Sequence, residues 1–214
     1  MALVLGTNCG FVTTAPTSDP AGASAPVSPY ATAIPATSPA TAGKIVEIGW
    51  WLDSSDIEHN FEVGIYNNSV IDYPSSVVGS LYQTNSVGTT NGVWKRVTVD
   101  IDITGNTSYW IAVQAGTSST LSYTNYASLG GGTGRRSKVA STLSNPFVSG
   151  AGWATSYRAF YAVWEAGEVT ETNMKINIGD SFKDVDALKI NIGDDWKAVT
   201  SVKQNIGDSW KDVF

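Results

Sequence analysis

From Lys44 onward, apolar and polar residues alternate with a period of two, and that pattern admits few kinds of secondary structure. In KIVEIGWWLD, residues 44–53, Val46, Ile48, Trp50 and Leu52 fall on one side and Glu47, Gly49, Trp51 and Asp53 on the other. NFEVGIY sets Phe61, Val63 and Ile65 against Glu62 and Tyr66. VWKRVTVDIDI sets Val97, Val99, Ile101 and Ile103 against Trp94, Arg96, Thr98, Asp100 and Asp102, and SYWIAVQ adds Tyr109, Ile111 and Val113. Successive side chains of a strand point to opposite faces, so this alternation marks strands with one buried face. VVGSLYQ, TLSYTNY, RRSKVAS and YRAFYAVW read as further strands, and SVGTTNG, ITGNTS and LGGGTG as the turns between them. No stretch carries a helical period. About eight strands over residues 44–166 predict an all-β fold, an antiparallel β-sandwich or jelly roll.

The segments on either side follow other rules. Residues 1–43 hold one charged side chain, Asp19, among Ala, Thr, Ser and Pro. Pro16, Pro20, Pro26, Pro29, Pro35 and Pro39 forbid a long helix. FVTTA, residues 11–15, has room for one strand. The segment reads as an extended N-terminal arm that orders along a neighbouring subunit, with a flexible linker as the alternative; its apolar character favours the arm, because disordered linkers are usually charged. The sandwich domain then occupies 44–168, with GEVTETN, residues 167–173, as a short polar hinge.

Residues 169–214 say nearly the same thing three times. Lys175, Lys189 and Lys203 are in step at a spacing of fourteen, as are Gly179, Gly193 and Gly207, and Phe182, Trp196 and Trp210. Each copy reads as a β-hairpin: an isoleucine-bearing strand, a Gly–Asp turn, then a second strand opened by the aromatic residue. Glycine first in a two-residue loop suits a type II′ turn. That register pairs Phe182 with Asn177, and a longer or bulged loop remains an equal alternative. About forty residues without disulfide or metal lie at the limit of independent folding, so the copies must pack on one another or on other chains. Gln204, where the other copies have Ile176 and Ile190, has the character of a capping position.

Composition excludes several classes of function. A net charge of −6 argues against nucleic acid as a partner, and the one basic cluster, Arg135, Arg136 and Lys138, is too small to reverse it. No run approaches the ~18 apolar residues of a membrane span. The opening MALVLGTNCGF lacks a basic n-region and is interrupted at Gly6, so no signal peptide is expected. Cys9, the single cysteine, has no internal partner and points to manufacture in a reducing cytoplasm.

Catalysis has little to use. His59 is the only histidine, no nucleophile motif surrounds any serine, and zinc would need more His or Cys than the chain owns. Asp53, Asp56, Glu58 and Glu62, followed by Asp100 and Asp102, are the groups from which a glycosidase pair or, at Asp53 and Asp56, a calcium site would be drawn. Strand faces carry such residues routinely. The expectation is no enzyme, no cofactor and no metal.

Aromatic residues are the stronger signal, with eight Trp and nine Tyr. By the alternation, Trp51, Tyr66, Trp94 and Trp110 point away from the inter-sheet core. Either a second layer such as the N-terminal arm, or another subunit, covers them, or they stack on a ligand such as a sugar.

GTNCGFVTTAPTSDP, ATSPATAGKIVEIGWWLD, NFEVGIY and NTSYWIAVQ resemble a β-sandwich module of bacteriophage and prophage structural proteins that also occurs in some bacterial surface proteins. NIGDSFKDV, NIGDDWKAV and NIGDSWKDV resemble the short G-x-x-W-K repeats that end phage virion proteins. The resemblance implies a non-enzymatic virion component: a fibre, decoration or tail-tip protein. It would be made in the host cytoplasm and carried on the particle. Its partners would be itself, with a homotrimer suggested by phage fibres, other virion proteins and a host surface glycan. Phe182, Trp196 and Trp210 would then serve assembly. The alternative is a secreted bacterial carbohydrate-binding surface module.

Overall fold

A computed structural model describes residues 2–20, 22–26, 30–52, 61–84, 92–115, 123–128, 134–167, 175–177, 182–184, 189–192, 195–198, 203–206 and 209–212. The chain forms two compact units, Met1–Gly167 and Glu168–Phe214. The described part is all β, with no helix.

The first unit contains β1 (Gly10–Val12), β2 (Ala23–Pro26), β3 (Tyr30–Thr37), β4 (Gly43–Leu52), β5 (Phe61–Asn68) and β6 (Pro74–Thr84). There follow β7 (Val93–Ile103), β8 (Ser108–Ala115), β9 (Tyr123–Ser128) and β10 (Arg135–Val139), then β11 (Gly152–Ala154), β12 (Ser156–Arg158) and β13 (Phe160–Ala166). A four-stranded sheet has the order β1-β13-β4-β7, and a six-stranded sheet the order β11-β10-β3-β8-β5-β6; β12-β9-β2 form a third, small sheet. Among the described residues these strands pair antiparallel, except β1 with β13.

The two larger sheets pack face to face, and their inner residues build the core. Ile45, Ile48, Trp50, Leu52, Ile101 and Phe160 come from the four-stranded sheet, and Ile34, Phe61, Val63, Ile65, Ile111 and Val113 from the six-stranded one. The rings of Trp50 and Phe61, on different sheets, are 4.6 Å apart. The alternation read from β5, β7 and β8 holds through their inner faces. In β4 it slips: the consecutive residues Val163 and Trp164 of β13 pair with Glu47 and Ile45, which leaves Val46 as an extra residue in β4, so Ile45 is fully buried and Val46 only partly so. A bulge adds one residue to the count and changes the phase of everything on its far side.

The expected N-terminal arm over residues 1–43 is corrected. Those residues belong to the first unit. β1 extends the four-stranded sheet beside β13, and β3 lies inside the six-stranded sheet between β10 and β8. Ala31, Thr32, Ala33 and Ile34 are all fully buried. A strand covered on both faces shows no apolar–polar alternation, which is why YATAIPAT does not read as one. Pro35 is tolerated because β10 stops pairing with β3 at Ala33, so only the β8 side is laddered there. Cys9 is buried in the core, and its Sγ lies 3.2 Å from the carbonyl of Arg158. Loss of hydration pushes its thiol up to about 12.

The second unit contains β14 (Lys175–Asn177), β15 (Phe182–Asp184), β16 (Lys189–Ile192), β17 (Asp195–Ala198), β18 (Lys203–Ile206) and β19 (Ser209–Asp212). They form three separate two-stranded sheets, β14-β15, β16-β17 and β18-β19. Ile192 pairs with Asp195 and Ile206 with Ser209, so two residues connect the strands in each of these copies. The register left open by the sequence is therefore the two-residue one, and Asn177 pairs with Phe182.

Candidate binding surface

Tyr66 on β5 and Trp110 on β8 stand directly opposite one another, on the outer face of the six-stranded sheet as the alternation requires. They do not meet solvent. Residues 140–151, an irregular strap, cross that face and bury Leu143, Phe147 and Ala151 against Tyr66, Trp110, Ala31, Ala33 and Ala112. Phe147 meets Tyr66 edge to face at 5.2 Å. Each polar tip has a partner: Tyr66 Oη donates to the carbonyl of Ser144 at 2.8 Å, and Trp110 Nε1 to Asn68 Oδ1 at 2.7 Å. The strap is held by Gln114 Nε2 donating to the carbonyl of Ala140 at 2.9 Å and by the amide of Leu143 donating to Glu62 Oε2. Burial, with the charge of Glu62 adding to it, raises the Tyr66 phenol above its ordinary value.

Trp51 on β4 and Trp94 on β7 are the corresponding pair on the four-stranded sheet. Their rings meet edge to face at 5.5 Å, and Trp94 meets Tyr161 in the same way at 5.1 Å. Trp94 Nε1 donates to the carbonyl of Ser18 at 2.9 Å, so the N-terminal segment reaches this face. Tyr161 lies over Gly49, where a Cβ would come within 2.2 Å of the ring. Its hydroxyl donates to Glu47 Oε1 at 2.6 Å. Burial, the hydrogen bond to Glu47 and its charge raise the Tyr161 phenol.

Of the alternatives for Trp51, Tyr66, Trp94 and Trp110, the structure shows cover by the chain itself, which takes the place of a ligand or subunit contact at these four residues. Their exposures are 4, 0, 8 and 0 %, and groups of the same chain cover them. Alternation along a strand reports which face a residue takes and says nothing of a segment arriving from elsewhere to cover that face.

Among the acidic candidates, Asp53, Asp56 and Glu58, together with His59, lie outside the described residues. Glu62 holds the strap. Asp100 and Asp102 lie 2.6 and 3.9 Å from Lys44 Nζ, and Asp100, through its hydrogen bond and its charge, raises the Lys44 ammonium. Among the described residues no group of three His, Cys, Asp or Glu is placed to hold a metal ion. Two shallow hollows of about 230 and 330 Å³ flank the N-terminal segment. One is lined by Thr7, Asn8 and residues 14–18, the other by Leu5, Gly6, Gly10, Phe11, Ala36 and Thr37. Neither lining carries a titratable side chain. At the repeats, Phe182, Trp196 and Trp210 occupy register positions opposite Asn177, Asn191 and Asn205.

A different aromatic residue reaches solvent. Trp153 on β11 is 39 % exposed and stands opposite Arg136 of β10. The Arg136 guanidinium carbon lies 4.3 Å from the Trp153 ring centroid and 5.1 Å from that of Tyr73. Arg136 Nη2 donates to the carbonyl of Asp72 at 3.1 Å. Sequence reasoning weighed Arg136 only as part of a basic cluster and did not single out Trp153, which sits in GAGWATS with no alternation around it. The proximity of RRSK and GAGW follows from the β10–β11 pairing.

No known protein family matches this chain, and no curated protein or solved structure is similar to it.

Proposed function

We propose that the chain is a non-enzymatic structural or adhesive component of a phage particle, a fibre, decoration or tail-tip protein, and that it assembles as a homotrimer. The first unit is its jelly-roll-like body, and the C-terminal hairpins are its means of association, with Phe182, Trp196 and Trp210 as assembly residues. One observation carries the reading: the second unit consists of three hairpins, and no ladder joins one hairpin to the next among the described residues. A lone two-stranded hairpin is at best marginally stable in water. Three in a row, repeated at a fixed spacing, call for partners beyond their own strands, and symmetric association of identical chains supplies them. The resemblance of the repeats to those of virion proteins supports the particle as the setting, and synthesis in the host cytoplasm accords with the free thiol of Cys9.

Antibodies raised against residues 1–167 provide the test. They are expected to decorate purified particles from the source lysate in electron micrographs, at sites arranged with the particle's symmetry. Particles that stay bare while the antigen remains in the particle-free fraction overturn the virion assignment.

A further inference from the structure

We propose that Trp153, Arg136 and Lys138 form a binding platform for a saccharide that carries a carboxylate. Trp50, Trp51, Trp94 and Trp110 are buried and Trp164 is half-buried, so Trp153 is the exposed indole among the described side chains. It is not a loosely held one. The guanidinium of Arg136 backs the ring, Tyr73 backs the guanidinium, and the Tyr73 hydroxyl is fixed in turn. That hydroxyl donates to the carbonyl of Val148 at 2.5 Å and accepts from the amide of Ala151 at 3.0 Å. The indole is thus stiffened from behind before any ligand arrives, which lowers the ordering cost of binding. With a cation against one face, the exposed area belongs to the remaining face and rim.

Charge supplies the second, independent observation. Arg136 and Lys138 are two residues apart on β10 and so share a face of the sheet with Trp153, the cross-strand partner of Arg136. No carboxylate of the described residues pairs with Arg136 or Lys138. Lys138 Nζ donates to the carbonyl of Ser149 at 2.5 Å, which leaves two of its three N–H groups for another acceptor. In a chain of net charge −6, two cations without carboxylate partners beside the exposed indole form a local positive site. The flanking glycines leave room: a Cβ at Gly152 or Gly150 would meet no atom nearer than 3.7 Å.

The two features together select the ligand. An indole face stacks on the apolar C–H face of a pyranose ring, and the Lys138 ammonium, with one N–H on the Ser149 carbonyl, hydrogen-bonds a carboxylate with charge assistance, while Arg136 adds its positive charge from behind the ring. A neutral sugar would use only the first feature, and a simple anion only the second. The platform is independent of the assembly proposed above, since its residues all lie in the first unit.

The test uses the purified full chain and calorimetric titration with a panel of acidic oligosaccharides: oligogalacturonate, oligomannuronate, hyaluronate and sialyllactose. Binding of at least one is expected, weakening as salt rises. For a uronate ligand, methyl esterification, which keeps the rings and removes the charge, should weaken binding about tenfold; for sialyllactose, lactose is the uncharged comparison. Trp153→Ala should weaken binding about tenfold, Lys138→Ala severalfold, and Trp153→Phe less than Trp153→Ala, each with an unchanged circular dichroism spectrum. The proposal is overturned if no member of the panel binds at millimolar concentration, or if Trp153→Ala binds as the parent does. It is equally overturned if Trp153→Ala leaves saccharide binding unchanged but alters sedimentation, which would make the platform a protein contact.

Discussion

Both units of this chain are built from antiparallel strand pairs, and they differ in what is done with the faces and edges those pairs create. In residues 1–167 the two large sheets cover each other's inner faces. The strap at 140–151 covers aromatic residues on one outer face, and the segment around Ser18 reaches the other. In residues 168–214 each sheet stops at two strands, so each hairpin has two edges that no described strand completes. The first unit accordingly covers its own faces, whereas the proposed association would complete the edges of the second.

Removing the second unit is the most direct way to break that comparison. A chain ending at Gly167 is expected to keep its two packed sheets, judged by an unchanged far-ultraviolet spectrum per strand residue, and to sediment as a monomer, whereas the full chain is expected to sediment as the proposed trimer. Trp196→Ala and Trp210→Ala should shift the full chain in the same direction by smaller steps. Identical monomeric sedimentation of the full and shortened chains across micromolar concentrations would give the hairpins another task, docking on a different protein.

The strap offers the next largest effect, because it tests whether the first unit is closed by its own chain. Phe147 is 3 % exposed and packs edge to face on both Tyr66 and Tyr73. Phe147→Ala should cost about 3–5 kcal/mol, the usual range for a buried phenylalanine, read from the midpoint of urea unfolding. A loss below about 1 kcal/mol would mean that the strap rests on the sheet without supporting it.

These two regions also show where sequence reading succeeds. The inner faces of β5, β7 and β8 were legible because alternation is a local property, visible within five or six residues. β3 was not, because Ala31 and Ala33 are buried under the strap while Thr32 and Ile34 are buried on the core side, and burial on both sides erases the period. The slip in β4 was invisible because a bulge is set by the partner strand. The candidate site moved for a related reason. The alternation puts Trp51, Tyr66, Trp94 and Trp110 on the correct faces, but Tyr66 and Trp110 are covered by residues 140–151 and Trp94 is met by Ser18 and Tyr161, all far away in the chain. Trp153 carries no local signal in the sequence because its setting depends on the pairing of β10 with β11.

Alkali sharpens the comparison by acting on groups of the closed unit. The Cys9 thiol has an ordinary value of 9.0 and is pushed up to about 12 by burial. Above pH 9 an unfolded chain releases this proton while the folded chain keeps it. The stabilisation is therefore fully present below pH 9 and is lost progressively as the pH rises towards 12, at up to about 1.4 kcal/mol per pH unit. Tyr66 and Tyr161, both raised, add to the loss in the same direction at higher pH. Urea midpoints measured from pH 8 to pH 11 should fall from about pH 9 onward, and Cys9→Ala should flatten the first part of that fall. A midpoint independent of pH up to 11 would show that the thiol is hydrated in the folded protein.

The smallest expected effect concerns a sheet edge, where the two units differ most sharply. β7 is the edge strand of the four-stranded sheet, and an unpaired edge offers its backbone groups to any strand that approaches. At Asp100 the protein meets this with one hydroxyl. Tyr82 Oη, carried by the edge strand of the other sheet, accepts from the Asp100 amide at 2.9 Å and donates to the Asp100 carbonyl at 2.9 Å. Both backbone groups of that residue are thus occupied, next to the register shift where β4 and β7 lose step. Tyr82→Phe should remove both bonds while keeping the ring's packing. Because water can replace the hydroxyl at an exposed position, the cost should be about 0.5–1.5 kcal/mol. Hydrogen exchange reads the change more sharply than unfolding does: the Asp100 amide should exchange faster in the variant, while amides of the buried strand β8 keep their rates apart from the global loss of stability. If the Asp100 amide exchanges at the parent's rate, its protection comes from elsewhere in the sheet. The tyrosine would then act through its ring alone, and the contrast between a capped edge in the first unit and open edges in the hairpins would no longer hold at this residue.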